Sequence, residues 1–144
     1  MLTEYKKILV ALDGSKQSEK ALLESIEIAK RNEAAIFLVW VINDLELTTS
    51  AYSFAKLLNE EEAFVKDFMT KKVAELNEAG ITDIQTIVEI GSPKRKISVD
   101  LPKEHGIDLI IMGSTGKGAI TQALVGSTTA YVVNHAPCNV MVVK

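Results

Sequence analysis

Apolar residues along this chain gather into five short runs, and between the runs the spacing changes to one apolar position every three or four residues. Lys7-Ile-Leu-Val-Ala-Leu12, Ala35-Ile-Phe-Leu-Val-Trp-Val41, Asp108 to Met112 and Asn139-Val-Met-Val-Val143 are almost continuously apolar. Runs of that kind suit strands buried on both faces of a parallel sheet. Ile84 to Ile90 mixes polar and apolar residues instead, and reads as a half-exposed edge strand with Gln85, Thr86 and Glu89 outward.

The segments between the strands keep helical spacing. Ala21, Leu22, Ser25, Ile26 and Ala29 form one stripe, with Ser15 or Ser18 as the cap of the first helix. A long helix is expected from about Tyr52 to Ala79, its apolar face running from Phe54 through Phe64, Val65 and Met69 to Leu76, with Gly80 ending it. The acidic run Glu60 to Glu62 inside it reads as a solvated face, because adjacent helical residues point in different directions. Asn43 to Thr49 reads as a polar loop, and Trp40 as core. A third helix starts with Pro93 at its first position, and Pro102 within it is expected to kink or shorten it. A short last helix reaches about Asn134. His105 and His135 both fall at helix ends, where the dipole favours them without further explanation. Strands and helices alternate without a detectable repeat, so one α/β domain over residues 1–144 is expected.

One stretch stands apart, Gly113-Ser-Thr-Gly-Lys-Gly-Ala-Ile-Thr-Gln-Ala-Leu-Val-Gly-Ser127, directly after the fourth apolar run. Glycines there allow positive φ and let backbone N–H groups approach an anion. Ser127, Thr128 and Thr129 precede an apolar segment whose helical N-terminus would form the other half of a phosphate cradle. A plain glycine turn with a Ser/Thr helix cap explains the same residues. The P-loop pattern fails, since Ile111 and Gly118 stand where it needs glycine and Ser/Thr. The dinucleotide G-x-G-x-x-G also fails, at Thr121.

What the stretch does match is G-x2-G-x9-G-[ST], and with it the chain resembles the ATP-binding universal stress proteins over essentially its full length. The resemblance extends from Ile8-Leu-Val-Ala-Leu-Asp-Gly-Ser15 to Pro137-Cys-Asn-Val-Met-Val-Val143. It implies an open, Rossmann-like α/β fold of five parallel strands in the order 3-2-1-4-5, helices on both faces, and ATP at the carboxyl ends of the strands. In that order the winding reverses between strands 1 and 4, and a ligand crevice forms at such a reversal. The Asp13 turn and the Gly113–Gly126 stretch flank it.

By this resemblance Asp13 and Val41 contact the nucleoside, with Ala11 and Met112 beside them. Gly113 and Gly116 let the backbone approach ribose and phosphate, while Gly126, Ser127 and Thr128 hold phosphate oxygens. Many ATP-binding members carry valine where this chain has Thr128. A carboxylate beside phosphates must hold a ribose hydroxyl or a cation, so Asp13 has two open roles, and ATP is expected with Mg2+ or Mn2+. A homodimer through strand 139–143 is also implied: the apolar edge Val140 to Val143 has only Lys144 as protection, and an open apolar edge is a pairing hazard.

Composition narrows the remaining classes. Of the 144 residues 47% are hydrophobic and 24% charged, which suits a soluble globular chain. The net charge of −3 and the short basic cluster Lys94-Arg-Lys96 argue against nucleic acid as a partner. The longest apolar run, Ala34 to Ile42, is too short for a membrane span, and the N-terminus carries no secretory pattern. Cys138 is the single cysteine, which excludes an internal disulfide and points to the cytoplasm. No Ser–His–Asp, Cys–His or paired-carboxylate set is evident. The reading is therefore an ATP-binding stress-response protein with at most slow hydrolysis. An ATPase or nucleotidyl transferase using the same cleft, or a nucleotide-free dimeric scaffold, are the alternatives.

Overall fold

The computed structural model describes residues 4–46, 51–116 and 125–144. Five strands form one parallel sheet in the order β3-β2-β1-β4-β5. They are β1 (Lys7–Ala11), β2 (Ala35–Ile42), β3 (Ile84–Ile90), β4 (Leu109–Gly113) and β5 (Asn139–Val143). The helices are α1 (Lys16–Asn32), α2 (Ala51–Glu78), α3 (Pro93–Arg95), α4 (Leu101–His105) and α5 (Ser127–His135). A 3-10 turn, Asp44–Glu46, occupies the start of the expected polar loop, and the remainder of that loop falls outside the described residues.

Strand alternation divides the core into two layers. Ile8, Val10, Ile36, Leu38, Trp40 and Ile111 face α1 and α2, meeting Ala21, Leu22, Val65, Met69 and Leu76. Leu9, Ala11, Phe37, Val39, Val41, Ile110 and Met112 face the other way, onto Ile97, Leu101, Ile107 and Val132. Both faces of β1, β2 and β4 are buried, as continuous apolar runs require. Each fully buried aliphatic side chain contributes roughly 1.5–3 kcal/mol through its removal from water.

Local chemistry sets the helix ends. Ser15 is the N-cap of α1, its hydroxyl accepting the Ser18 N–H at 3.1 Å. The buried stripe of α1 uses Ile28 where the spacing suggested Ile26, which is only partly buried. Gly80 and Gly106, at φ 95° and 68°, reverse the chain after α2 and α4 in the left-handed region that costs glycine least. The amino edge of the sheet is tied by Asp108, whose carboxylate accepts the backbone N–H groups of Lys6 and Lys7 at 2.8 and 3.1 Å.

Pro102 distorts its helix as expected, a π-turn, Lys96–Asp100, opening just before Leu101 and Pro102, while two other sequence expectations are corrected. The Leu101 N–H reaches back five residues to the Lys96 carbonyl, so the proline ring, which would clash with the carbonyl four residues before it, enters a widened turn. The apolar face of α2 is buried only in its second half: Val65, Met69 and Leu76 are enclosed, while Leu57 and Phe64 remain exposed. Glu89 is half-buried, unlike its neighbours Gln85 and Thr86, which are exposed as an edge strand predicts. At the other edge β5 is incompletely covered by its own helices, with Met141 exposed and Val140, Val142 and Val143 half-buried.

Candidate functional site

Three segments meet at the carboxyl edge of the sheet, where β1 and β4 lie side by side but their helices depart to opposite faces. The first is the turn after β1. Gly14 adopts φ 83°, and a Cβ there would stand 3.2 Å from Cη2 of Trp40, so the turn lies against the indole. Asp13 accepts the Ser15 N–H through Oδ1 at 2.9 Å, a side-chain turn that also fixes the direction of the carboxylate.

The second segment is the end of β4. Neither Gly113 nor Gly116 has positive φ, contrary to the sequence expectation; both are glycine because something stands close. A Cβ at Gly113 would lie 2.7 Å from Gln17 Cβ and 2.8 Å from its backbone carbon, so this glycine lets β4 pack on α1. A Cβ at Gly116 would lie 2.7 Å from Asp13 Oδ2. Gly116 and Asp13, 103 positions apart in the chain, thus share one spot at the cleft.

The third segment is the start of α5. Gly126 is its N-cap at φ −71°, and no side chain caps the helix, so the Ser/Thr cap reading does not hold. The first-turn N–H groups of a helix have no intrahelical partner, and the dipole there favours an anion. Two hydrogen bonds fasten this segment to the end of β4, and a third ties that end to β5. Gly126 N–H donates to the Ser114 carbonyl at 2.7 Å, Ser114 N–H to the Val143 carbonyl at 2.8 Å, and the buried Thr129 hydroxyl to the Gly113 carbonyl at 2.8 Å. Ser127 is exposed and Thr128 half-buried beside them. Residues 117–124 of the stretch lie outside the described residues.

Ala11, Val41 and Met112, each nearly enclosed, line the same edge on the α3–α5 side of the sheet. Every candidate site residue therefore lies at this one edge. Gln17, Trp40, Ser114 and Thr129 support it, and sequence reasoning missed all four in that role. Thr129 carried a signal, being a buried-looking hydroxyl next to the motif; Gln17 carried none.

Titratable groups elsewhere are kept from this edge by topology. His105 and His135 end helices that lead into strands, which places them at the amino edge, opposite the cleft. Lys7 Nζ donates to the His105 carbonyl there at 3.1 Å, and His135 Nδ1 lies 2.8 Å from the Tyr131 carbonyl. Cys138 is at the amino edge too; burial, with Asp108 nearby, pushes its thiol up from 9.0, so it is no thiolate nucleophile at neutral pH. Among the described residues no group of three His, Cys, Asp or Glu is arranged to hold a metal, so Asp13 would need phosphate oxygens and water to complete a cation's shell. Among them too, no helix is long and apolar enough to cross a membrane. A groove of about 440 Å³ between α2 and β3, lined by Met69, Val73, Thr86 and Val88, lies on the other face of the sheet.

Fold and cleft together define a doubly wound α/β domain with a glycine-lined crevice at its topological switch point. The sequence pattern of the universal stress protein family matches residues 4–144, and the chain belongs to that family. A Staphylococcus haemolyticus protein assigned by name to the universal stress proteins is 36% identical over 144 residues, covering 100% of this chain and 87% of its own. The structure of universal stress protein UspA from Lactobacillus plantarum superposes with a TM-score of 0.91 at 36% identity, over 99% of this chain and 100% of that one. Hypothetical protein MJ0577 superposes at 0.89 with 30% identity, over 99% and 97%. Two more distant structures share the fold, a universal stress protein in complex with cAMP and one from Archaeoglobus fulgidus in complex with dAMP. Their TM-scores are 0.75 and 0.72, their identities 23% and 19%; the first match covers 98% of both chains, the second 99% of this chain and 100% of that one.

Proposed function

We propose that the protein binds ATP with a divalent cation across the cleft, and acts through its nucleotide-bound state more than through turnover. The observation that carries this is the approach of Gly116 to the Asp13 carboxylate, with the uncapped N-terminus of α5 and Gly126 opposite. A nucleotide can bring ribose hydroxyls or a bound cation to Asp13 and an anion to α5 at once. Ala11, Val41 and Met112 offer an apolar wall for the nucleoside. Gly113 keeps the end of β4 against α1 so that Gly116 reaches Asp13. Ser127 and Thr128 would offer phosphate oxygens their backbone N–H groups and hydroxyls, while Gly126, whose N–H is held by the Ser114 carbonyl, leaves room beside them. Relatives crystallised with cAMP and dAMP support an adenine nucleotide as the ligand class. Mg2+ or Mn2+ bound to the phosphates would neutralise their repulsion toward Asp13.

The same reading includes a homodimer through β5. Its open edge, with Met141 38% and Val133 50% exposed, would be covered by a second copy across a two-fold axis. Equilibrium dialysis at millimolar nucleotide tests the central part: Mg-ATP is retained by the folded protein, and absence of retention overturns the proposal.

A further inference from the structure

Lys144 follows β5 directly, and the hydrogen bonds around it place it on the α5 side of the cleft. Val143 pairs in register with Gly113, and its carbonyl accepts the Ser114 N–H at 2.8 Å. The Ser114 carbonyl in turn accepts the Gly126 N–H at 2.7 Å, at the N-cap of α5. Lys144 therefore stands level with Ser114, one strand spacing of about 4.8 Å to its side.

Strand alternation gives the face. Val140 packs against the layer that holds Met112 and Val132 of α5, whereas Val143 packs against the opposite layer. The same alternation carries Val142 and Lys144 to the α5 face, where Ser127 and Thr128 open the helix. Lys144 is exposed, and it forms no ion pair or hydrogen bond with any described residue. The first turn of α5 offers an anion N–H groups and a dipole, but no full charge. A Mg2+ triphosphate is still anionic, and this chain carries a net charge of −3 with Asp13 at the cleft. A lysine ammonium, a compact charge on a flexible stem, suits phosphate oxygens at a solvent-facing end.

We propose that Lys144 is the counter-charge for the outer phosphates of the bound nucleotide, contributing affinity that grows with the number of phosphates. This rests on the proposed nucleotide site and adds to it a residue outside the glycine motif. A lysine here also guards the open β5 edge, but edge protection is blind to how many phosphates a ligand carries. Titration calorimetry with Mg-ATP and with AMP on wild type, Lys144→Met and Lys144→Arg separates the two roles. Lys144→Met should weaken Mg-ATP by about fivefold to tenfold, the size of an exposed charge-assisted hydrogen bond, and AMP by less than about twofold. Lys144→Arg, which keeps the charge, should stay within about threefold of wild type for Mg-ATP. Unchanged Mg-ATP affinity in Lys144→Met, equal weakening of Mg-ATP and AMP, or a Lys144→Arg as weak as Lys144→Met overturns the role of Lys144 while the nucleotide site stands. A wild type that binds neither nucleotide overturns both.

Discussion

Gly113, Gly116 and Gly126 form one motif by spacing, but each lacks a side chain for a separate reason. At Gly113 an added Cβ meets the backbone of α1, at Gly116 a carboxylate, and at Gly126 only ordinary contacts of 3.4 Å and longer. Gly113→Ala should therefore destabilise the fold by about 3 kcal/mol, the cost of overpacking against an element that cannot yield, as read from urea unfolding. Gly116→Ala should lower the unfolding midpoint less than Gly113→Ala and weaken Mg-ATP at least tenfold, because the added methyl displaces the Asp13 carboxylate and not a backbone. The spacing made these glycines visible in the sequence. It did not reveal the reasons, since a glycine required by close approach and one required by positive φ look alike until the neighbours are known. Asp13 was legible as a strand-end carboxylate; its partner Gly116 became evident only once the turn after β1 and the end of β4 were superimposed at one edge.

At the scale of elements, continuous apolar runs identified β1, β2 and β4, which are buried on both faces, and β5, while β3 was legible from its mixed edge pattern. The boundaries moved by one residue, β4 running from Leu109 to Gly113 instead of from Asp108. Periodicity misjudged α2, because a helix can keep an apolar stripe beyond the sheet that would cover it; Phe64 instead packs on Trp40 and Phe68, ring centroids 6.4 and 6.3 Å away. Farther along, Lys72 joins α2 to α1, pairing with Glu19 and Glu75 over the Phe68 ring. Burial lowers its pKa, but the hydrogen bonds to Glu19 and Glu75 outweigh that and leave it raised above 10.5. A raised pKa contributes stability that is complete below the unfolded value and lost as pH climbs through the folded one. Lys72→Met should thus cost about 1 kcal/mol at pH 7, and the difference from wild type should shrink above pH 10.5. Chemical unfolding at pH 7 and pH 11 measures both; an equal difference at the two would assign the effect to packing.

The whole molecule is a sheet whose two edges differ. The β3 edge presents exposed Gln85 and Thr86, whereas the β5 edge presents Met141 and half-buried valines. Sedimentation at micromolar concentration should give a dimer for the wild type and a folded monomer for Val142→Lys. A monomeric wild type rules the β5 interface out. The fold also separates both histidines and Cys138 from the cleft, so among the described residues no His or Cys general base or nucleophile stands at the phosphate end. Steady-state phosphate release should accordingly stay below about one per second, since positioning and cation electrostatics are the terms left to accelerate it. Faster release would contradict that reading.

The central claim is that phosphates lie over Gly126 and the Gly116 amide, and Gly126→Val addresses it at a backbone position that tolerates a Cβ. A Cβ at Gly126 stands 3.8 Å from the Gly116 nitrogen and 3.4 Å from Thr115 Cα, and the backbone there, at φ −71°, accepts any residue. The variant should keep its unfolding midpoint within about 5 °C of wild type, a change of about 1 kcal/mol. Titration calorimetry should then show one Mg-ATP bound per wild-type chain and binding at least tenfold weaker, or none, in Gly126→Val. No binding by the wild type at millimolar nucleotide, or wild-type affinity in the folded variant, would contradict the account.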